Sequence, residues 1–392
     1  MLTPALLPAI QQLLRDADLD GWLLYDFRGT NAIASGMLGF RGLASRRVFA
    51  FIPREGIPRA IGHAIEPGPW AKWPTEWPRV TYSSWQGLES ELAKLVSGKR
   101  VAMEYSAGDA IPYLDRIPAG VLEMVRATGA TVVTSADLVS QVYATWTAPQ
   151  RDSHVRAAEV IAAVAKDAIN FAGAQIAAGT PAAEHEVQAR ILDAFDRAGL
   201  STEHGPDVAA SENAANPHYA PSANAPRLIQ RGDMLLIDLW AKEKDGIWAD
   251  QTWMASMGAP SDRFVTIWEA VRDARDAALT LLHDRISNGV PVQGGEADDA
   301  ARAVITGRGF GESFWHRTGH SIDSRDLHGS GPQLDNMESR DNRLLLPGVG
   351  FSIEPGIYIL GELGVRTEVN AWVDVGSLLV TPREIQRDLF VV

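Results

Sequence analysis

Two domains of different class are predicted, an α/β domain over residues 1–150 and an α+β domain over residues 151–392. Two observations predict them. Helix-like and strand-like stretches alternate through the first part, whereas the second groups long helices with strand hairpins. Pro149 falls where the texture changes, just ahead of an Ala-rich helical pattern. A chain of 392 residues, 46% apolar and 22% charged, has soluble globular composition and length for two or three ordinary domains.

The first domain opens on LLPAIQQLLRDA, whose apolar residues recur at helical spacing. GWLLYDF follows as a short apolar run, then RRVFAFIPR, RVTYSS, GLESELAKLVSG, RVAMEYS and ATVVTS, alternating strand and helix patterns. This half holds one histidine, His63, and no acids clustered among apolar residues. It reads as a scaffold or specificity domain. Trp70, Trp73 and Trp77 in EPGPWAKWPTEWP either line a subunit contact or cover a loop.

The N-terminus lacks a basic segment and reads as an amphipathic helix rather than a signal peptide. No apolar run approaches the roughly 20 residues that span a bilayer, so a cytoplasmic location is expected. The formal net charge of −13 argues against nucleic acid and anionic membrane as partners. With no cysteine, disulfides, thiolate metal sites and cysteine nucleophiles are excluded. Any metal must be held by His, Asp and Glu.

In the second domain, helices are expected near 152–178, 183–198, 262–287 and 295–307, with Gly199 as a C-cap. Strand-like runs lie at 205–211, 233–241, 247–256, 349–360, 364–375 and 377–381. GRGFGE at 307–312 has the wrong glycine spacing for a dinucleotide-binding loop.

MLLIDLWAKEKDGIWADQTWM, residues 234–254, places Asp238 and Asp250 in strands that read as buried. Moving an unpaired carboxylate out of water costs several kcal/mol, so each needs a partner, a proton or a metal. A five-residue loop over 242–246 would set Asp238 opposite Asp250, on one face. FSIEPGIYILGELGVRTEVNAWV repeats the device: a hairpin centred on Gly361 sets Glu354 opposite Glu368. Like charges this close need a cation or shared protons. FWHRTGHSIDSRDLHGSG then supplies His316, His320 and His328. Arg317 follows the first histidine where HExxH has Glu, and Gly319 argues against a helix, so a zincin is not indicated. Four carboxylates with an imidazole suit a pair of Mn, Co, Fe or Zn ions sharing a hydroxide, the signature of a two-metal hydrolase.

At these residues the chain resembles the pita-bread metallopeptidases, which include Xaa-Pro dipeptidases (prolidases), aminopeptidases P and methionine aminopeptidases. LIDLW…ADQT, NPHY, HRTGH…LHG, EPGIY and VRTE occur in that family's order. The resemblance implies an α/β N-terminal domain before a pita-bread (creatinase/aminopeptidase-like) catalytic domain. It also implies that Asp238 chelates one metal, Asp250 and Glu368 bridge both, and His320 and Glu354 hold the second, with manganese the first choice. Glu354 would shuttle the proton during attack by metal-bridged hydroxide. His218 would hold substrate near the scissile bond, His328 would steady the tetrahedral intermediate, and Arg366 would orient Glu368 or the substrate's carboxyl end. The function implied is hydrolysis of Xaa-Pro bonds in small peptides, above all dipeptides, by a homodimer. Two alternatives stand beside it: an aminopeptidase for longer Xaa-Pro peptides, and a metal-free creatinase-like hydrolase or peptide-binding module on the same fold. The chain departs from the family in a longer first hairpin, a longer His320–His328 spacing, GHSID, DQTW and EVN.

Overall fold

The computed structural model describes residues 1–40 and 44–392. It divides into two compact units, Met1–Tyr143 and Ala144–Val392. Residues 144–150 therefore belong with the second unit. Trp146 is buried there with Ile247, Trp248, Ile322 and Trp372, and its backbone N–H donates to Gly348 at 2.8 Å.

In the first unit a six-stranded mixed sheet has the order β4-β3-β2-β1-β5-β6. Its strands are β1 (Gly21–Asp26), β2 (Val48–Pro53), β3 (Arg59–His63), β4 (Arg79–Tyr82), β5 (Arg100–Met103) and β6 (Thr131–Thr134). Strand alternation gives the sheet two apolar faces. Trp22, Leu24, Val48, Ala50 and Ile52 pack against α1 (Leu7–Asp16) and α2 (Ala32–Leu38). Leu23, Tyr25, Phe49 and Phe51 pack against α3 (Trp85–Val96) and α4 (Ala119–Ala127). The result is a three-layer α/β/α unit, closed by the one-turn helix α5 (Ala136–Leu138). Trp70, Trp73 and Trp77 stack edge to face, with Trp70 and Trp77 buried in the α1/α2 core.

The second unit begins with α6 (Ala148–Ala177) and α7 (Glu184–Ala198), the latter ended by Gly199 in the left-handed region at φ 71°. By length and composition α6 could cross a bilayer, contrary to the expectation of no such run. Its Ala157, Ile161, Ala165 and Ile169 instead pack in a protein core. They cover one face of a sheet of order β16-β9-β8-β7, built from β7 (Asp207–Ala210), β8 (Met234–Ala241), β9 (Ala249–Ser256) and β16 (Phe390–Val391). Val208, Ala210, Leu235, Ile237, Leu239, Trp253 and Ala255 point into that core. A strand turns alternate side chains to opposite faces. Asp207, Asp238, Asp250 and Thr252 therefore lie on the face away from α6 and α7.

The second half of the unit repeats the scheme. Helices α8 (Asp262–Ser287) and α9 (Gly294–Gly307) cover a sheet of order β10-β11-β14-β15. Its strands are β10 (Ser321–Ile322), β11 (Gly350–Ile353), β14 (Val369–Asp374) and β15 (Ser377–Thr381), and β12 (Gly356–Ile359) pairs with β13 (Leu363–Arg366) beside it. Phe351, Ile353, Val369, Ala371 and Val373 face the helices. Ser352, Glu354, Glu368 and Asn370 carry the opposite parity.

One hairpin register differs from expectation. Asp238 is opposite Thr252, and Asp250 is opposite Trp240, so the loop runs over 242–248 rather than 242–246. The carboxylates share a face but sit diagonally. Ile247 and Trp248 leave the ladder because they are buried in the tryptophan cluster, where the Trp248 carbonyl lies 2.7 Å from His154 Nδ1. The other hairpin has the expected register. Ile353↔Val369 and Gly356↔Arg366 bracket the step at which Glu354 meets Glu368.

Candidate active site

Asp250, His320 and Glu368 are each buried, and one ligand atom from each lies within 4.8 Å of the others. His320 comes from the segment between α9 and β10. Gly319 before it lets the chain run against β11: a Cβ there would sit 2.0 Å from the Ser352 carbonyl oxygen. The His320 N–H donates to Ser352 Oγ at 3.0 Å, and Ser352 Oγ donates to Glu354 Oε1 at 3.0 Å. Glu354 and Asp250 then lie 3.3 and 3.4 Å from His320 Nε2.

The hydroxyl of Thr252 gathers the rest. It lies 3.3 Å from Asp238 Oδ1 and 3.0 Å from Glu368 Oε2, and it accepts from Arg366 Nε at 2.9 Å. Arg366 also binds Asp238 directly and donates to the Tyr358 hydroxyl at 3.2 Å. The sequence resemblance aimed this arginine at Glu368 or the substrate; it binds Asp238 directly and reaches Glu368 through the Thr252 hydroxyl. His316 is second to the cluster. Its Nδ1 is 2.7 Å from the Arg317 carbonyl, so Nε2 accepts from Tyr358 at 2.8 Å. The His328 ring packs tilted against His320, with centroids 4.2 Å apart, while His218 is exposed.

Sequence reasoning missed Thr252, Ser352, Asn370 and Asp207. Asn370 Oδ1 accepts the Asp250 N–H at 2.8 Å, and Asp207 is registered opposite Asp238. Polar residues of one parity within apolar strands were the available signal.

The electrostatics are those of a crowded cage. Burial, then the neighbouring acids, pushes Asp238 up to about 7 despite Arg366. Burial and Glu354 raise Asp250 well above its usual range, and burial with Asp250, Glu354 and Asp238 does the same for Glu368. Burial raises Asp207 to about 7, with Asp238 adding to it. Glu354 is the acid drawn low, to about 2: burial resists, but His320, His316 and Arg366 surround it. Burial holds His320 down to about 4, so its ring is neutral near pH 7.

That neutrality decides what the cage can hold. His320 Nδ1 lies 3.1 Å from the Ser321 carbonyl and so carries the proton. The bare lone pair of Nε2 therefore faces two carboxylate oxygens. Glu368 Oε1 is also buried with no hydrogen-bond partner among the described residues. Lone pairs turned on one another in a low-dielectric pocket repel unless a cation or a shared proton lies among them. The donor set, carboxylate oxygens with one imidazole nitrogen, fits divalent Mn, Co, Fe or Zn.

A family model described as metallopeptidase family M24 matches residues 153–374, more than half of the chain. The chain belongs to metallopeptidase family M24. Its second unit is the pita-bread fold of the M24 enzymes. The chain is 37% identical over 161 residues to an Xaa-Pro dipeptidase of Lactobacillus helveticus, across 41% of this chain and 40% of that one. The match thus spans about two fifths of that curated relative's length. Among solved structures, dipeptidase PepE from Mycobacterium ulcerans superposes with a TM-score of 0.76 at 24% identity, covering 98% of this chain and 96% of that one. A dipeptidase from Pyrococcus horikoshii gives 0.68 at 25% identity, covering 98% and 99%.

Proposed function

We propose that the chain is a dinuclear-metal exopeptidase that hydrolyses Xaa-Pro bonds, chiefly in Xaa-Pro dipeptides. The observation that carries this is the convergence of buried ligand atoms of Asp250, His320 and Glu368 within 4.8 Å of one another, with His320 Nε2 3.4 and 3.3 Å from Asp250 and Glu354. Asp238, Asp250, His320, Glu354 and Glu368 are the proposed ligands of two divalent cations, with manganese the first choice. Bound there, the cations supply Lewis acidity that makes water a nucleophile near neutral pH and offsets charge developing on the scissile carbonyl.

The chain's own groups do the rest. Glu354, held ionised, takes a proton from the attacking water and returns it to the leaving proline nitrogen. His328, packed against His320, hydrogen-bonds the oxyanion of the tetrahedral intermediate. His218 steadies the substrate near the scissile bond. Arg366 and Thr252 fix Asp238 and Glu368 in place. Proline's tertiary amide lacks an N–H and has a restricted ring, so a dedicated pocket suits it better than a general protease cleft. Support for the substrate class comes from the Lactobacillus relative, named an Xaa-Pro dipeptidase. Homodimer formation and a cytoplasmic location are part of the proposal and rest on family resemblance.

The test offers Ala-Pro and Ala-Pro-Xaa peptides with Mn(II), before and after EDTA. Turnover of the dipeptide that chelation abolishes is expected. Turnover confined to the longer peptides would move the assignment to an aminopeptidase. Turnover unchanged by chelation would move it to the metal-free alternative.

A further inference from the structure

Asp207 takes no part in the cage proposed above, yet it is registered directly opposite Asp238 on the neighbouring strand. Opposite residues of an antiparallel pair share a face with Cβ atoms about 4.5–5.5 Å apart, and like charges there repel. A carboxylate so placed needs a reason. Its strand neighbours Val208 and Ala210 fill the α6/α7 core, so Asp207 is committed to the site face. It lines a small cavity with Asn216, Tyr219, Leu236 and Arg366, and it feels both repulsion from Asp238 and attraction to Arg366.

We propose that Asp207 is a positioning residue, the counter-ion that keeps Arg366 buried beside a cation-loaded Asp238. This rests on the two-cation reading. Arg366 is 5% exposed, and its one direct carboxylate partner among the described residues is Asp238. A divalent cation on Asp238 draws that carboxylate's charge away from the guanidinium, and an uncompensated buried charge is costly. The charges around the loaded site show what restores balance. With neutral water bound, before any hydroxide forms, two divalent cations and Arg366 bring five positive charges. Asp238, Asp250, Glu354 and Glu368 bring four negative ones, and His320 is neutral. Asp207 is the fifth carboxylate. Without it the loaded site would carry a buried net positive charge beside Arg366.

The experiment is calorimetric titration of Mn(II) into chelator-stripped protein, for the parent, Asp207→Asn, Asp207→Glu, Arg366→Met and the Asp207→Asn/Arg366→Met pair. Asp207→Asn is expected to weaken Mn(II) binding about tenfold or more, as loss of an outer-shell partner commonly does. Asp207→Glu, which keeps the charge, should retain most of the affinity. In the Arg366→Met background the Asp207→Asn loss should vanish, because no guanidinium remains to balance. The melting temperature of stripped Asp207→Asn protein should not fall, since Arg366 already has Asp238 when no cation is bound. Parent-like Mn(II) affinity in Asp207→Asn, or the same loss with and without Arg366, would overturn the counter-ion role. If Arg366→Met does not fold, equal losses in Asp207→Asn and Asp207→Glu would overturn it. A parent protein that takes up no Mn(II) would sink the two-cation reading itself.

Discussion

Thr252 shows how much one hydroxyl can organise. It bridges Asp238 and Glu368 and accepts from Arg366, tying three charged groups of different strands to one oxygen. Thr252→Val keeps the β-branched shape and removes that oxygen. The expected outcome is a folded protein whose Mn(II) affinity falls 10- to 100-fold, on the order seen when partners of ligating groups are lost. Glu354→Gln addresses the proton itself: kcat should drop by about 10²- to 10⁴-fold, the usual contribution of a general acid–base group. Steady-state kinetics at saturating Mn(II) measure it, and an unchanged kcat would assign the proton transfer elsewhere. Of these groups, the four proposed acidic ligands were legible in the sequence because acids inside apolar strands are costly and conspicuous, and His320 because it stands in a segment carrying three histidines. Thr252, Ser352 and Asn370 were not, because a small polar residue in a strand is unremarkable until its face is known.

The helices of the second unit were legible at the level of elements, since long amphipathic or Ala-rich runs end at clear caps; the pattern near 183–198 is α7, stopped at Gly199. The Gly361 hairpin was legible too, since its tight connection leaves little freedom of register. The Asp238–Asp250 hairpin was misread by two residues of register. Loop length cannot be counted when two of its residues, Ile247 and Trp248, are drawn into a distant aromatic cluster. The segment carrying His320 makes its own prediction. An added methyl in Gly319→Ala meets the Ser352 backbone oxygen, which cannot swing away as a side chain would. The variant should lose about 3 kcal/mol, the upper end of ordinary substitutions. Scanning calorimetry should show a melting point several degrees lower; an unchanged value would mean that the β10–β11 approach is looser than described.

At the scale of the whole molecule, one buried group in each unit makes stability respond to pH in the opposite sense to the other. In the first, Glu104 is fully buried, accepting from Trp22 at 2.6 Å, Asn31 at 2.8 Å and Ser135 at 3.2 Å. Burial outweighs those bonds and raises it from the usual 4.5 to about 7. Between those pH values the native state holds a proton that the unfolded chain has released, so stability falls as pH rises, by up to roughly 3 kcal/mol. In the second unit, burial lowers His154 from 6.5 to about 4, its ring set between the Trp248 carbonyl and the Thr381 hydroxyl. There the unfolded chain takes up the proton first, so stability falls as pH drops from 6.5 towards 4, by a similar amount. Glu104→Gln should flatten the first slope and His154→Gln the second when unfolding is followed from pH 4 to 8. Unchanged slopes would assign the pH dependence to other groups.

The alternation along β8 and β9 also bears on how this chain can change length over time. Residues added between Ala241 and Ala249 lengthen a connection and leave each acid facing as it does now. A single residue inserted within either strand would turn the carboxylates beyond it towards α6 and α7 and swing leucines into their place. Insertions are therefore tolerable at the hairpin tip and ruinous a few positions away, so lineages of this fold should vary in their loops while the spacing within each acidic strand stays fixed.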